Sequence, residues 1–216
     1  MPYLPTVRAA RLCATLCFIA SAIGLTGTAQ AGGLLDLDHR VALDQRGIWA
    51  RSDQLLLQYG VIAVEVGGGL WLGRDDPLGE TLWRSVDASA TSGIAAQALK
   101  SLSGRVRPSD TSNPDLWHQG SSNQSFPSGE VTLQAAFVTP LIVRYGSEHP
   151  VVWALEALPA YDAIARVKSQ AHWQSDVLAG WALGTGFGYW AATRGEPPLS
   201  VQVLPGGFTV GWRSRF

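Results

Sequence analysis

Three short clusters hold the side chains of this sequence that could act together on an anion. Lys100 and Arg107-Pro108 frame the first, Pro127-Ser128-Gly129-Glu130 form the second, and Arg166, His172 and Asp176 form the third. Lys100, Arg107 and Arg166 are cations in a chain of which only 15% is charged. Arginine forks match phosphate oxygens two at a time, and lysine adds a point charge. Ser128 and Gly129 open a predicted helix, where free N–H groups and the helix dipole favour an anion. His172 and Asp176 are four residues apart, so on a helix they share one side. A carboxylate there fixes the imidazole tautomer and leaves the other nitrogen free to attack. Each feature alone is common. Their order and spacing together point to a phosphate-handling site.

The same residues resemble the three-part signature of the type 2 phosphatidic acid phosphatase superfamily, which also includes bacterial acid phosphatases and vanadium haloperoxidases. That signature is Lys, six residues, Arg-Pro; then Pro-Ser-Gly-His; then Ser-Arg, five residues, His, three residues, Asp. Lys100 to Arg107-Pro108 matches the first part, Pro127-Ser128-Gly129 the second, and Arg166, His172 and Asp176 the third. The resemblance covers about residues 60 to 195. It implies an all-α helical bundle and phosphoester hydrolysis through a phosphohistidine, with His172 attacking and Asp176 orienting it. Lys100, Arg107, Ser128, Gly129 and Arg166 would bind the phosphate. No metal and no cofactor is implied.

Two positions depart from the signature. Ala165 replaces its serine, and Glu130 replaces its second histidine, which in the family is taken to protonate the leaving oxygen. Three readings of Glu130 follow. It is a substitute general acid, which predicts an acidic pH optimum. Or it is an acidic residue favoured in a first helical turn, with the acid role lost or supplied by His118. Or the protein binds phosphate without efficient turnover. A phosphoryl group could also pass to an acceptor other than water. For vanadate-dependent halide oxidation the chain is short.

These clusters need helices to position them. Helical patterns run over residues 79–101, over 128–145 with Pro140 inside, over 150–168 with Pro159 inside, and over 172–193. The stretch 53–73 is apolar but interrupted by Glu65 and by Gly67-Gly68-Gly69. Residues 104–127 are rich in Ser, Asn, Asp, Gly and Pro, and make a long loop of the kind that carries function. In the last helix Asp176, Gly180, Gly184 and Gly188 recur every four residues, which lets a neighbouring helix approach closely. Residues 199–212 read as a β-hairpin around Pro205-Gly206-Gly207. The organisation expected is a leader over 1–31, a helical phosphatase-like domain over 32–195 and a hairpin tail over 196–216.

The leader is read from Arg8 and Arg11, an apolar run from Leu12 to Leu25, and the small-x-small triplet Ala29-Gln30-Ala31. It reads as a secretory signal peptide and places the mature chain in a bacterial periplasm. Both cysteines, Cys13 and Cys17, fall inside it, so the mature domain is held by packing without disulfides. The net charge of -1 shows no basic excess, which excludes a nucleic-acid surface. Outside the leader, the longest uncharged stretch, Val177 to Thr193, is short for a membrane span. Nine tryptophans leave peripheral contact with a lipid surface open, and Trp71, Trp153, Trp173, Trp181 and Trp190 read preferentially as core. The substrate is then a phosphate compound, lipid or soluble.

Overall fold

In the computed structural model the described residues are 32–195, 199–204 and 207–212. The expected leader over 1–31, the hairpin turn at 205–206 and the last four residues lie outside them. Five helices make the domain: α1 (Arg51–Leu72), α2 (Pro77–Ser103), α3 (Gly129–Tyr145), α4 (Ala157–Lys168) and α5 (Gln174–Thr193). Two antiparallel strands follow, β1 (Leu199–Leu204) and β2 (Gly207–Trp212), in the register Leu199 to Trp212 and Leu204 to Gly207.

α2 begins where its sequence supplies a start. The Asp76 carboxylate accepts the amides of Leu78 and Gly79, with Pro77 in the first turn. It ends at Gly104, whose φ of 49° is left-handed, and a Cβ there would meet the Gly120 carbonyl oxygen at 2.9 Å.

α3 is the central helix. On one side Val131 and Ala135 pack with Ala163, Val167, Val177 and Trp181 from α4 and α5. On the other side Phe137, Val138, Leu141 and Ile142 pack with Val61 of α1 and Leu82 of α2. Each such side chain contributes roughly 1.5–3 kcal/mol when fully buried. The glycine row of α5 lies directly on α3. A Cβ at Gly184 would collide with the Thr132 carbonyl, and one at Gly188 would sit 2.6 Å from the Thr139 Cβ. The glycines therefore set how close the two helices come, as their spacing predicts.

Three expectations change. The stretch 53–73 is not interrupted: α1 runs through Glu65 and the glycines, with a π-type turn over Ala63–Gly67. Gly69 accepts the Trp83 indole N–H at 3.0 Å, and a Cβ on Gly68 would strike Leu82. The glycines bring α1 onto α2 and do not break it. Residues 150–168 are not one helix: a 3-10 segment, Pro150–Glu156, precedes α4. Pro159 then falls in the first turn of α4, where its missing N–H costs no intrahelical bond. Third, α1 is a 22-residue helix long and apolar enough to cross a membrane, with only 17% of its apolar window buried.

The tryptophans divide accordingly. Trp173 and Trp181 are buried at 0% and 1% exposure, whereas Trp71 on α1 and Trp190 on α5 are exposed at 88% and 45%. Leu56, Tyr59, Val64 and Leu70 extend the exposed apolar face of α1. An apolar recess on α5, lined by Ala182, Leu183, Gly186, Phe187 and Trp190, lies apart from the three clusters.

Candidate active site

The three clusters meet where the C-terminal ends of α2 and α4 face the N-terminal ends of α3 and α5. Lys100 is in the last turn of α2 and donates to the Gln124 carbonyl at 2.8 Å. Gly129, the first residue of α3, lies beside it: a Cβ there would be 3.6 Å from the Lys100 Cε. The Ser128 amide donates to the Asp176 carbonyl at 2.9 Å, which ties the start of α3 to the start of α5. Arg166 closes α4 and donates from Nη1 to Gln54 Oε1 at 3.0 Å. The Ser128 hydroxyl and the Arg166 Nε are buried and have no hydrogen-bond partner among the described residues. Buried polar atoms are almost always paired, so these two are free for a ligand.

Burial lowers the Lys100 ammonium to about 8, and the charges of Arg107 and Arg166 add to the effect. Those mutual influences place Arg107 in the same cationic group. Its guanidinium makes no hydrogen bond or ion pair with a described residue. The group is concentrated charge with unspent donors, which is what a phosphate dianion requires.

His172 is 3% exposed and is not on α5, which starts at Gln174. Sequence spacing places it on the helix with Asp176, whereas the helix begins two residues after it. The ring Nδ1 lies 2.6 Å from the Ser125 carbonyl and 3.8 Å from the Asp176 carboxylate. A carbonyl only accepts, so Nδ1 carries the proton and Nε2 holds the lone pair. At 3.8 Å Asp176 acts on the ring as a charge, beyond hydrogen-bond reach. Burial pushes the imidazole down to about 4 against the pull of Asp176, and Arg166 and Lys100 push the same way as burial. The ring is therefore neutral at physiological pH, and its Nε2 is nucleophilic.

Asp176 holds the scaffold of the site together. It accepts from Arg105 Nη1 at 2.6 Å, from the Ser125 hydroxyl at 2.5 Å and from the Trp173 amide at 2.9 Å. Burial pushes its carboxyl up, but the His172 ring, Arg105 and the Ser125 hydroxyl outweigh burial and hold it below the usual carboxylate range. Ser125 thus presents its hydroxyl to Asp176 and its carbonyl to His172, and relays the orientation between them.

Arg105 also reaches Asp38 at 2.6 Å and the Pro114 carbonyl at 2.8 Å, with its guanidinium 4.2 Å from the Trp117 ring centre. Asp38 in turn accepts the amide and hydroxyl of Ser175, each at 2.7 Å. The N-terminal segment before α1 is thereby fastened to the start of α5. Sequence reasoning missed Arg105 although it stands inside the first cluster, and it missed Asp38 and Ser125, which no spacing marks.

Glu130 stands in the first turn of α3, and its carboxylate is engaged by an arginine of another helix. Its two oxygens take Arg51 at 2.7 and 2.9 Å, and Arg166 Nη1 is 3.6 Å away. Gln54 bridges the same two arginines, at 3.3 Å from Arg51 and 3.0 Å from Arg166. Burial raises the Glu130 carboxyl, but the Arg51 hydrogen bond and the charges of Arg166, Arg51 and His172 prevail and lower it. The resting carboxylate is ionised. Arg51 and Gln54 come from α1, a different element, and nothing in the motif spacing announces them. His118 points elsewhere: its exposed ring lies 3.1 Å from the Leu102 carbonyl.

Residues 81–196 match the family model described as the PAP2 superfamily, which spans more than half of the chain. The chain belongs to this superfamily. It is 32% identical over 124 residues to a protein of Porphyromonas gingivalis named lipid A 1-phosphatase, a match that takes in 55% of this chain and 25% of that one. The chain therefore spans about a quarter of the length of this relative. A crystal structure of a transmembrane PAP2-type phosphatidylglycerolphosphate phosphatase from Bacillus subtilis is 18% identical, with a TM-score of 0.49 over 88% of this chain and 86% of that one.

Proposed function

We propose that the protein is a phosphatase that acts on a phosphate compound, preferentially one borne by a lipid, through a phosphohistidine intermediate. The observation that carries this reading is the His172 ring. It is neutral, its proton is committed to the Ser125 carbonyl, and it stands among Lys100, Arg107 and Arg166. His172 Nε2 attacks phosphorus. The three cations, the amides at the start of α3, the Ser128 hydroxyl and the Arg166 Nε stabilise the equatorial oxygens. Water then cleaves the phosphorus–nitrogen bond. The step needs no metal. Asp176 stabilises the charge that develops on the ring, and Ser125 keeps the ring aimed.

The exposed apolar face of α1, with Trp71 at its end, supports a substrate presented at a lipid surface. The name of the Porphyromonas gingivalis relative supports the same substrate class. The leader read over residues 1–31 supports an exported, periplasmic enzyme. The ion pairing of Glu130 favours its reading as an acidic residue of the first helical turn over that of a general acid.

The test is phosphate release by the purified protein from a lipid phosphate and a soluble phosphomonoester between pH 4 and 9. Release that His172→Ala abolishes supports the reading. No release on either substrate from folded protein, or unchanged release by His172→Ala, refutes it.

A further inference from the structure

The family's second histidine is replaced by a carboxylate that this structure has already spent. Both Glu130 oxygens are engaged by Arg51, and Arg166 and Gln54 close the cluster. A carboxylate in a bidentate pair with a guanidinium is an acceptor and has no proton to give. The other candidates are committed as well. One Lys100 hydrogen goes to the Gln124 carbonyl and, on the reading above, the other two go to oxygens of the terminal phosphate, and the His118 ring turns to Leu102. The nucleophile side of the reaction is complete, and among the described residues the leaving-group side lacks a donor.

We infer from this asymmetry that the substrate of the site is a diphosphate, whose terminal phosphate is removed, and that phosphate esters of simple alcohols are poor substrates. The inference rests on the phosphatase reading above and narrows its substrate class. The chemistry is a matter of leaving groups. His172 Nε2 forms a bond to the terminal phosphorus, and the bond from that phosphorus to the bridging oxygen breaks. The electron pair stays on the bridging oxygen. In a diphosphate that oxygen becomes part of a phosphate monoester whose second pKa is about 6, so it leaves without a proton. In an alkyl monophosphate it becomes an alkoxide, about as basic as the hydroxide of water with its pKa of about 15.7, and a donor is needed.

The same cluster offers the inner phosphate a counter-charge. Arg51 is partly exposed, at 47% of its side chain, at the start of α1. Its Nη1 hydrogens go to Glu130 and Gln54, and one Nη2 hydrogen goes to Glu130. The Nε–H and the second Nη2–H remain for another anion. Glu130 holds this guanidinium in place and links it to Arg166. On this view the histidine's replacement trades a proton donor for a second phosphate-facing cation.

The experiment compares decyl diphosphate with decyl monophosphate on the full-length protein, together with a series of aryl monophosphates of graded phenol pKa. A positioned acid is worth typically 10²–10⁴-fold, so kcat/KM for the diphosphate should exceed that for the monophosphate by about 100-fold or more. The aryl series should fall steeply as phenol pKa rises. Glu130→His should raise the decyl monophosphate rate and narrow the ratio at least about tenfold, and Arg51→Ala should lower the diphosphate rate more than that of an aryl phosphate. A smaller ratio in the wild type, or an aryl series that is flat in phenol pKa, overturns the inference and leaves the phosphatase reading standing. Loss of decyl monophosphate cleavage in Glu130→Gln with the diphosphate rate retained also overturns it, because Glu130 would then be the acid. No release from any of these substrates overturns both.

Discussion

Replacing Arg105 with methionine separates the scaffold of the site from its chemistry. Arg105 is fully buried and is the shared partner of Asp38 and Asp176, at 2.6 Å from each. Methionine keeps much of the volume and removes the charge. Asp38 is then left with the Ser175 amide and hydroxyl, and Asp176 with Ser125 and the Trp173 amide. Those donors are neutral, so two buried carboxylates lose their counter-charge. Removing one partner of a buried ion pair costs about 3–5 kcal/mol. Contact with Trp117 at 4.2 Å adds a smaller loss. For a chain of 216 residues each kcal/mol is worth roughly 2–4 °C, so the melting temperature should fall by roughly 6–20 °C. Arg105→Lys keeps the charge but cannot fork to both carboxylates, and should fall between the two. Adding Asp38→Asn to Arg105→Met removes one stranded carboxylate and should recover part of the loss. Urea unfolding of the four proteins measures this. A loss below about 1 kcal/mol in Arg105→Met, or no recovery in the double variant, would refute the reasoning that one buried guanidinium neutralises both acids.

Three further outcomes follow from the same geometry. After correction for ionisation of the substrate near pH 6, kcat/KM should decline as pH falls through about 4, where His172 protonates, and as pH rises through about 8, where Lys100 loses its charge; a single acidic limb near pH 6.5 would contradict the buried, neutral ring. Asp162 and Glu156 are buried, Asp162 with no hydrogen-bond partner among the described residues, and burial raises each to about 7. Their folded pKa values exceed the unfolded ones, so the stability they contribute is present below about pH 4 and is lost as pH rises to about 7, at up to about 1.4 kcal/mol per pH unit for each group. Asp162→Asn with Glu156→Gln should flatten the dependence of urea midpoint on pH in that window. Gly184→Ala places a methyl against the Thr132 carbonyl, and the overpacking should cost about 1–3 kcal/mol; an unchanged urea midpoint would show that α3 and α5 are free to separate.

Much of the site was legible because its chemistry is local. Lys100, Ser128, Gly129 and Arg166 sit at helix ends, where capping and dipole arguments apply to the sequence directly. The glycine row on α5 was legible for the same reason, since a four-residue period fixes a face. The residues that finish the site were not. Arg51 and Gln54 come from α1, and Asp38 from the segment before it, so their contacts depend on tertiary packing that periodicity does not encode. His172 shows the limit of spacing: four residues from Asp176 implied a shared helix face, whereas the helix begins after the histidine and Ser125 mediates between them. Glycine propensity argues against a continuous α1. Packing against Trp83 and Leu82 overrides that preference.

The central claim is that His172 carries the phosphoryl group. Rapid acid-free quenching of the protein with substrate labelled in its terminal phosphate tests it most directly, followed by digestion and mass spectrometry of the peptide that contains residue 172. A phosphoryl group should form on the His172 ring within the first turnover, be lost in acid and stable in base, and be absent from His172→Ala. Phosphate release at the full rate with no label on His172, or a label on another residue, would contradict it.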